Sequence, residues 1–358
     1  MQRPVRLGLI GCGGIVRQSH APGYRATPDL VRVSALADPV ADNLAQMGEL
    51  LAVSPERRYT DHRQMLEHAE LDAVTIATPH HLHAEHAIDA AEAGVAVISE
   101  KPMATSVEQA EEVLAAVERH GVPYAVVHNF LFTPGMERAR ELLAEGAVGA
   151  PFFGRAKSLF NKTDDRADPN NEWRASRAAG GGAINDTAYH EIYLLETLVG
   201  APVRYVEARV ATQHFAFDVD DLALLLLEHE GGALSTVATS WCVPGDGGAG
   251  ARDAGESANL AEAQGPAGGV RVMRRGRGLW QYARDTRRWH EVALPPQPAW
   301  AESGHGRYFA ATFEALAAGS PPPIGGGLAL HNLRIVAAAR RASAERRAVE
   351  LPPPDAAG

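Results

Sequence analysis

The feature that most constrains this chain is its opening: a short apolar run, Val5 to Ile10, drives straight into Gly11-Cys12-Gly13-Gly14-Ile15-Val16, and a helical pattern follows. The same alternation then repeats. Strand-like runs at Val31 to Ala37, Ala73 to Ala77, Val95 to Ser99 and Tyr124 to Val127 are separated by helical patterns at Asn43 to Leu51, Ala84 to Ala93 and Glu108 to His120. Short apolar strands joined by helices are parallel strands with crossover connections, so this part is expected to be a doubly wound α/β sheet covered on both faces.

The glycines have a chemical reason. A side chain at Gly11 would obstruct the tight turn, and one at Gly13 would keep a pyrophosphate away from the backbone amides at the start of the helix. Gly14 and Ile15 complete the loop. The third position of the G-x-G-x-x-G pattern is Val16, which predicts a looser helix-strand contact, not a lost site. Strand two ends at Ala37-Asp38-Pro39, and Asp38 stands 27 residues after Gly11. A carboxylate there accepts both ribose hydroxyls and repels a 2′-phosphate, so NAD is expected over NADP. The alternative for Asp38 is a helix N-cap with Pro39 at the first helical position.

From about Pro151 the texture changes to longer β-like runs: Phe152 to Phe160, Val203 to Ala211, Leu222 to Glu228, Ala233 to Thr239 and Val270 to Met273. Turn-like segments separate them, so an α+β domain on an open, mainly antiparallel sheet is expected. The chain therefore divides into 1–128, a nucleotide-binding domain, and 129–358, an α+β domain. Helices close the chain at Tyr308 to Ala317 and Leu330 to Ala344, the second able to pack back on the first domain. Pro244 to Gly269, dense in Gly, Ala and Asp, reads as a lid or a disordered insertion.

Three clusters carry chemistry. After the fifth strand comes Ser99-Glu100-Lys101-Pro102. Proline keeps Lys101 out of helical geometry, and the lysine should project from the carboxyl end of a strand, where open α/β sheets bind ligands. A cis bond before Pro102 is compatible with such a turn. The run Gly180-Gly181-Gly182-Ala183-Ile184-Asn185-Asp186-Thr187-Ala188-Tyr189-His190 opens a helix predicted over Asp186 to Leu198. Asp186 and His190 are one turn apart there, and an imidazole can take a hydroxyl proton while a neighbouring carboxylate orients it or binds substrate. Thr78-Pro79-His80-His81-Leu82-His83-Ala84-Glu85-His86 offers histidine spacings a zinc site uses. No cysteine or carboxylate set converges with them in sequence, so the cluster is read as a border of the nicotinamide, with no metal.

Composition limits partners. A formal net charge of −10 disfavours nucleic acid and anionic membranes. No run approaches the roughly 20 apolar residues that span a bilayer, and the N-terminal run breaks at glycines without a signal-peptide pattern. With only Cys12 and Cys242, no disulfide framework is expected, and a reducing cytoplasm fits.

Taken in order, these motifs resemble the glucose-fructose oxidoreductase, inositol dehydrogenase and MocA (Gfo/Idh/MocA) family over essentially the whole length. The matching pieces are Gly11 and Gly13, Asp38, Thr78-Pro79 with His83, Ala93-Gly94, Glu100-Lys101-Pro102, and Gly182 through Asp186 to His190, with echoes at Gly265 to Val270 and Ser320 to Pro323. The resemblance implies that Lys101 holds the reacting oxygen and that His190 accepts or donates a proton, with Asp186 binding substrate or steering His190. It implies that Thr78, His83, Glu100 and Asn129 line the nicotinamide side, and that Trp173 and Arg174 belong to the substrate pocket. It also implies that the open sheet makes homo-oligomer contacts, in a dimer or tetramer. Two departures concern the substrate: Tyr193 stands where relatives commonly carry Asp three residues after the histidine, and Leu131 precedes Phe132 where many carry Arg.

The expected function is hydride transfer between NAD(H) and a hydroxylated carbon of a sugar, inositol or related polyol. Two alternatives are a redox-neutral cycle on tightly held NAD, as in relatives that cleave glycosides or exchange hydride between sugars, and a non-catalytic sensor on the same fold. The sensor has no need of both Lys101 and His190.

Overall fold

The computed structural model describes residues 3–162, 166, 171–243, 259–273 and 276–353. The chain forms two compact units: Met1–Asn129 with Pro298–Leu330, and Phe130–Gln297 with the chain from His331.

The first unit begins β1 (Val5–Ile10), α1 (Ala21–Ala26), β2 (Val31–Ala37), α2 (Ala41–Leu50), β3 (Arg58–Tyr59) and α3 (His62–His68). It continues β4 (Ala73–Ile76), α4 (His83–Glu92), β5 (Ala96–Ser99), α5 (Val107–His120) and β6 (Tyr124–Val126). The six strands pair in the order β3-β2-β1-β4-β5-β6, all parallel. This is the doubly wound dinucleotide-binding order, with its crevice at the carboxyl ends of the strands, where the order reverses between β1 and β4. β4 and β5 are buried at every residue, as strands covered on both faces must be. Between Gly14 and α1 the helix contains a π turn, Val16–His20.

The second unit holds α6 (Pro134–Ala144), β7 (Phe153–Leu159), α7 (Tyr189–Val199), β8 (Val203–Ala211), β9 (Leu222–His229) and β10 (Leu234–Ser240). Four strands follow: β11 (Asn259–Gln264), β12 (Gly268–Met273), β13 (Gly278–Ala283) and β14 (Arg288–Glu291). The tail adds α8 (Ala299–Glu302), α9 (His305–Ala318), α10 (Gly326–Glu345) and β15 (Val349–Glu350). Nine strands form one sheet, β14-β13-β12-β11-β7-β10-β9-β8-β15, in which β7 and β10 are parallel and the other pairs antiparallel. α7 packs on β7 and β11. β9 alternates buried Ala223, Leu225, Leu227 and His229 with outward Leu224, Leu226 and Glu228, the period of a sheet with one covered face.

Several expectations shift. The division at 128 is interleaved: Pro298–Leu330, read from sequence as part of the second domain, belongs to the first unit, and α10 from His331 on belongs to the second. There α10 is tied to α7 by His331 Nε2 to Glu196 Oε1 (2.9 Å) and by Asn332 Nδ2 donating to the Tyr189 carbonyl (3.0 Å). The irregular stretch 244–269 also splits. Residues 244–258 lie outside the described residues, whereas 259–264 pair as β11 with β7 and β12. α2 begins at Ala41 with Val40 as N-cap, so Asp38 and Pro39 precede the helix. No helix among the described residues is long and apolar enough to cross a membrane.

Candidate active site

Because all strands of the first sheet run the same way, the segments leaving their carboxyl ends share one edge. Gly11 leaves β1, Asp38 leaves β2, Thr78 follows β4, Glu100 and Lys101 follow β5, and Asn129 follows β6. Backbone bonds carry the pairing one residue past the strands, with Gly11 N donating to Ala37 O (2.8 Å), Ala77 N to Ile10 O (2.8 Å) and Glu100 N to Ile76 O (2.8 Å). A cavity of about 520 Å³ among Arg6, Arg32, Ser34, Arg57 and Glu70 sits near the opposite ends of β1 and β2, away from the edge where this sheet type binds ligands.

Gly11 has φ of 93°, and a Cβ there would come within 2.7 Å of the Ala77 carbonyl oxygen, so only glycine fits. Gly13 and Gly14 are different: a Cβ at either meets nothing within 4 Å. Their lack of a side chain leaves open space over the first helical turn, and Ile15 is 40% exposed beside it. Open space above amides at a helix start is what a dinucleotide's pyrophosphate needs, so these residues fit the cofactor. Asp38 is buried and its carboxylate is pinned by two amides, Cys12 N to Oδ2 (2.7 Å) and Val40 N to Oδ1 (2.8 Å), with Asn43 Nδ2 3.3 Å from both oxygens.

The segment after β4 enters a 3-10 turn, His80–Leu82, and then α4. Buried His83 spans two segments, with Nε2 2.8 Å from the Thr78 carbonyl and Nδ1 2.7 Å from the Pro102 carbonyl. Burial holds its pKa below the ordinary imidazole value, against the pull of the two carbonyls and Glu100. A neutral ring donates to one carbonyl at a time. Thr78 Oγ1 contacts His86 Nδ1 at 3.2 Å, and His80 is buried 5.7 Å, ring to ring, from His83. Asn129 donates from Nδ2 to the Ser303 carbonyl (2.8 Å) and is buried.

Glu100 is the hub of this edge. Its Oε1 accepts from His20 Nε2 at 2.8 Å and lies 3.9 Å from His305 Nε2, while its Oε2 accepts from the Lys101 amide at 3.2 Å. Burial alone would raise its pKa; the His20 hydrogen bond and the charges of His20, His305 and Lys101 outweigh that and hold it at about 2. Burial drives His305 the other way, to about 3. The three side chains bring ligand-type atoms within 4.8 Å of one another, and His20 Nε2 and Glu100 Oε1 are joined directly at 2.8 Å. Lys101 is half-buried, and its bond to Pro102 is cis.

In the second unit, Gly181 and Gly182 lead into a π turn, Ile184–Ala188, that runs into α7. A Cβ on Gly181 would lie 2.1 Å from the Arg174 carbonyl, which fixes glycine there. Asp186 sits in the π turn and pairs with Arg174 (Nε to Oδ2, 3.4 Å), whose guanidinium lies 4.3 Å from the centroid of the Trp173 ring. Arg174 also hydrogen-bonds Asn171. His190 is buried, its ring 4.6 Å from that of Phe130, and its Nδ1 bonds the Tyr193 hydroxyl at 2.8 Å.

Sequence reasoning missed His20, His305 and the role of Tyr193. His20 lies 80 residues from Glu100 and His305 lies farther still, so no local spacing pairs them. Tyr193 was visible as an i, i+3 neighbour of His190.

Residues 5–128 match the oxidoreductase family with an NAD-binding Rossmann fold, and residues 136–260 match the Gfo/Idh/MocA C-terminal domain. D-apiose dehydrogenase of Paraburkholderia graminis is 31% identical over 354 residues, covering 96% of this chain and 88% of that protein. The chain belongs to the Gfo/Idh/MocA oxidoreductase family. Levoglucosan dehydrogenase of Pseudarthrobacter phenanthrenivorans is 37% identical over 205 residues, 55% of this chain and about half (51%) of that protein. A solved levoglucosan dehydrogenase complexed with NADH and levoglucosan matches with a TM-score of 0.84 at 26% identity, covering 98% of this chain and all of that one. This Gfo/Idh/MocA chain is thus an oxidoreductase with a dinucleotide-binding Rossmann domain.

Proposed function

We propose that this oxidoreductase transfers hydride between NAD(H) and a hydroxyl-bearing carbon of a sugar, inositol or related polyol. The observation that carries the reading is Lys101 leaving the carboxyl end of β5 with its amide on the buried Glu100 carboxylate, which the His20 hydrogen bond at 2.8 Å holds below the ordinary carboxylate range. Gly11, Gly13, Gly14, Ile15, Asp38, Thr78, Pro79, His80, His83, Glu100, Lys101 and Asn129 would hold the dinucleotide, and the bound nicotinamide supplies the hydride acceptor or donor. Lys101 steadies the substrate oxygen as charge develops on it. His190 takes the hydroxyl proton in oxidation and returns it in reduction, and Asp186, with Arg174 and Trp173, binds the substrate's other hydroxyls. The relatives named for levoglucosan and D-apiose support the substrate class.

NAD is favoured over NADP because the pinned Asp38 carboxylate presents negative charge where a 2′-phosphate would lie, and Pro39, Val40 and Ala41 bring no arginine. A homo-oligomer, dimer or tetramer, is supported by the outward face of the nine-stranded sheet. There Leu224, Leu226 and Leu234 are 50%, 44% and 46% exposed, with Leu234 in register with Phe153 and Leu224 in register with Ala238, an apolar area that calls for a cover. Two free thiols, Cys12 and Cys242, fit a cytoplasmic enzyme. The test is nicotinamide absorbance with NAD and NADP against inositols, aldoses and glycosides. NADH production from a polyol is expected; turnover of none sinks the reading, and product without net NADH moves it to a redox-neutral cycle.

A further inference from the structure

We propose that Tyr193 is the positioning residue for His190: its hydroxyl holds Nδ1 and makes Nε2 the nitrogen that exchanges the substrate's proton. This rests on the reading that His190 is the proton carrier. The two side chains lie one turn apart on α7, at i and i+3, joined by the 2.8 Å bond. Both are buried, Tyr193 fully, so water does not substitute for the bond. The Phe130 ring packs at a tilt against the imidazole, 4.6 Å between centroids, and Tyr189 meets the Tyr193 ring edge to face at 6.3 Å, which limits rotation of both.

The chemistry of the partner matters as much as its place. A carboxylate only accepts, so it would lock the proton on Nδ1 and favour the imidazolium. A phenol both donates and accepts. Here it accepts: Nδ1–H donates to the Tyr193 oxygen both in the neutral ring, where bare Nε2 takes the substrate's proton, and in the imidazolium, where Nε2–H returns it. One hydroxyl thus supports His190 as acid and as base without adding charge beside it. That suits a reaction run in both directions.

The test compares wild type with Tyr193→Phe, which keeps the ring and the packing, and Tyr193→Asp, which supplies the charge. Steady-state pH profiles and NMR titration of the His190 imidazole, assigned by difference against His190→Gln, are read on all folded variants. Tyr193→Phe should lower kcat about tenfold or more with KM little changed, and shift the His190 tautomer signals. Tyr193→Asp should move the His190 titration, and the acidic limb of the profile, up by about one pH unit or more. If both variants titrate and turn over as wild type does, Tyr193 only packs, and the proposal is overturned. Should Tyr193→Asp fail to fold, unchanged His190 signals in Tyr193→Phe alone overturn it. The titration needs no substrate, so absence of turnover in wild type would strike the proposed function and leave this bond still decided by NMR.

Discussion

Replacing Glu100 by Gln tests whether the carboxylate beneath Lys101 is held as an anion. Its pKa falls from an ordinary 4.5 to about 2, because the His20 hydrogen bond and the neighbouring positive charges outweigh burial. With the folded pKa depressed, the associated stability is complete above pH 4.5 and drains as pH falls toward 2, since the unfolded chain takes a proton that the folded chain refuses. Over the roughly 1.5 pH units between 4.5 and 3, at about 1.4 kcal/mol per pH unit, wild type should lose about 2 kcal/mol that Glu100→Gln has no carboxylate to lose. Urea unfolding of both proteins at pH 7 and pH 3 measures this. Other carboxylates titrate equally in both and cancel in the comparison. If the two proteins lose the same stability between pH 7 and pH 3, the carboxylate is not held by His20 as described, and the account of how Lys101 is supported fails.

Four other perturbations follow from the same structure. Lys101→Met should cut kcat about 10²-fold or more, the cost of a lost oxyanion donor, with NAD affinity by fluorescence titration changed only a few-fold; undiminished turnover would remove Lys101 from the chemistry. Asp38→Ala should raise the NADP-to-NAD ratio of kcat/KM about tenfold or more by lifting charge repulsion, and an unmoved ratio would show that the carboxylate does not face the 2′ position. Gly11→Ala forces φ of 93° on an L-residue and its Cβ onto the Ala77 oxygen, for an expected loss of about 1–3 kcal/mol in chemical denaturation together with nucleotide binding. Leu224→Lys combined with Leu226→Lys should lower the mass read by light scattering if the open sheet face is the contact, and an unchanged oligomer would locate the contact elsewhere.

Five of the six strands of the first sheet were legible in the sequence. Val31 to Ala37 and Ala73 to Ala77 are short, mainly apolar runs bounded by aspartate and proline, and the structure keeps β2 at Val31–Ala37 and ends β4 one residue earlier, at Ile76. The two-residue β3 and the seven-residue α3 went unread, because Arg58-Tyr59 and His62–His68 are too short to show a period. β11 was hidden in a Gly- and Ala-rich stretch: its strand state comes from pairing with β7 and β12, not from its own propensity.

What the amino-acid order decided by itself is whatever depends on neighbours along the chain: the glycine turn at Gly11, the Asp38 carboxylate ending a strand, a lysine before proline, and His190 with Tyr193 one helical turn on. What only the tertiary structure decided is which distant groups meet. Glu100 finds His20 and His305 from segments far apart in sequence, Asp186 finds Arg174 across the glycine run, and the interleaved unit boundary puts Pro298–Leu330 with the nucleotide-binding sheet. The reason is physical: local geometry is set by φ, ψ and side-chain period within a few residues, whereas the partner of a buried charge is whichever group the packed core brings to it, and spacing along the chain carries no record of that.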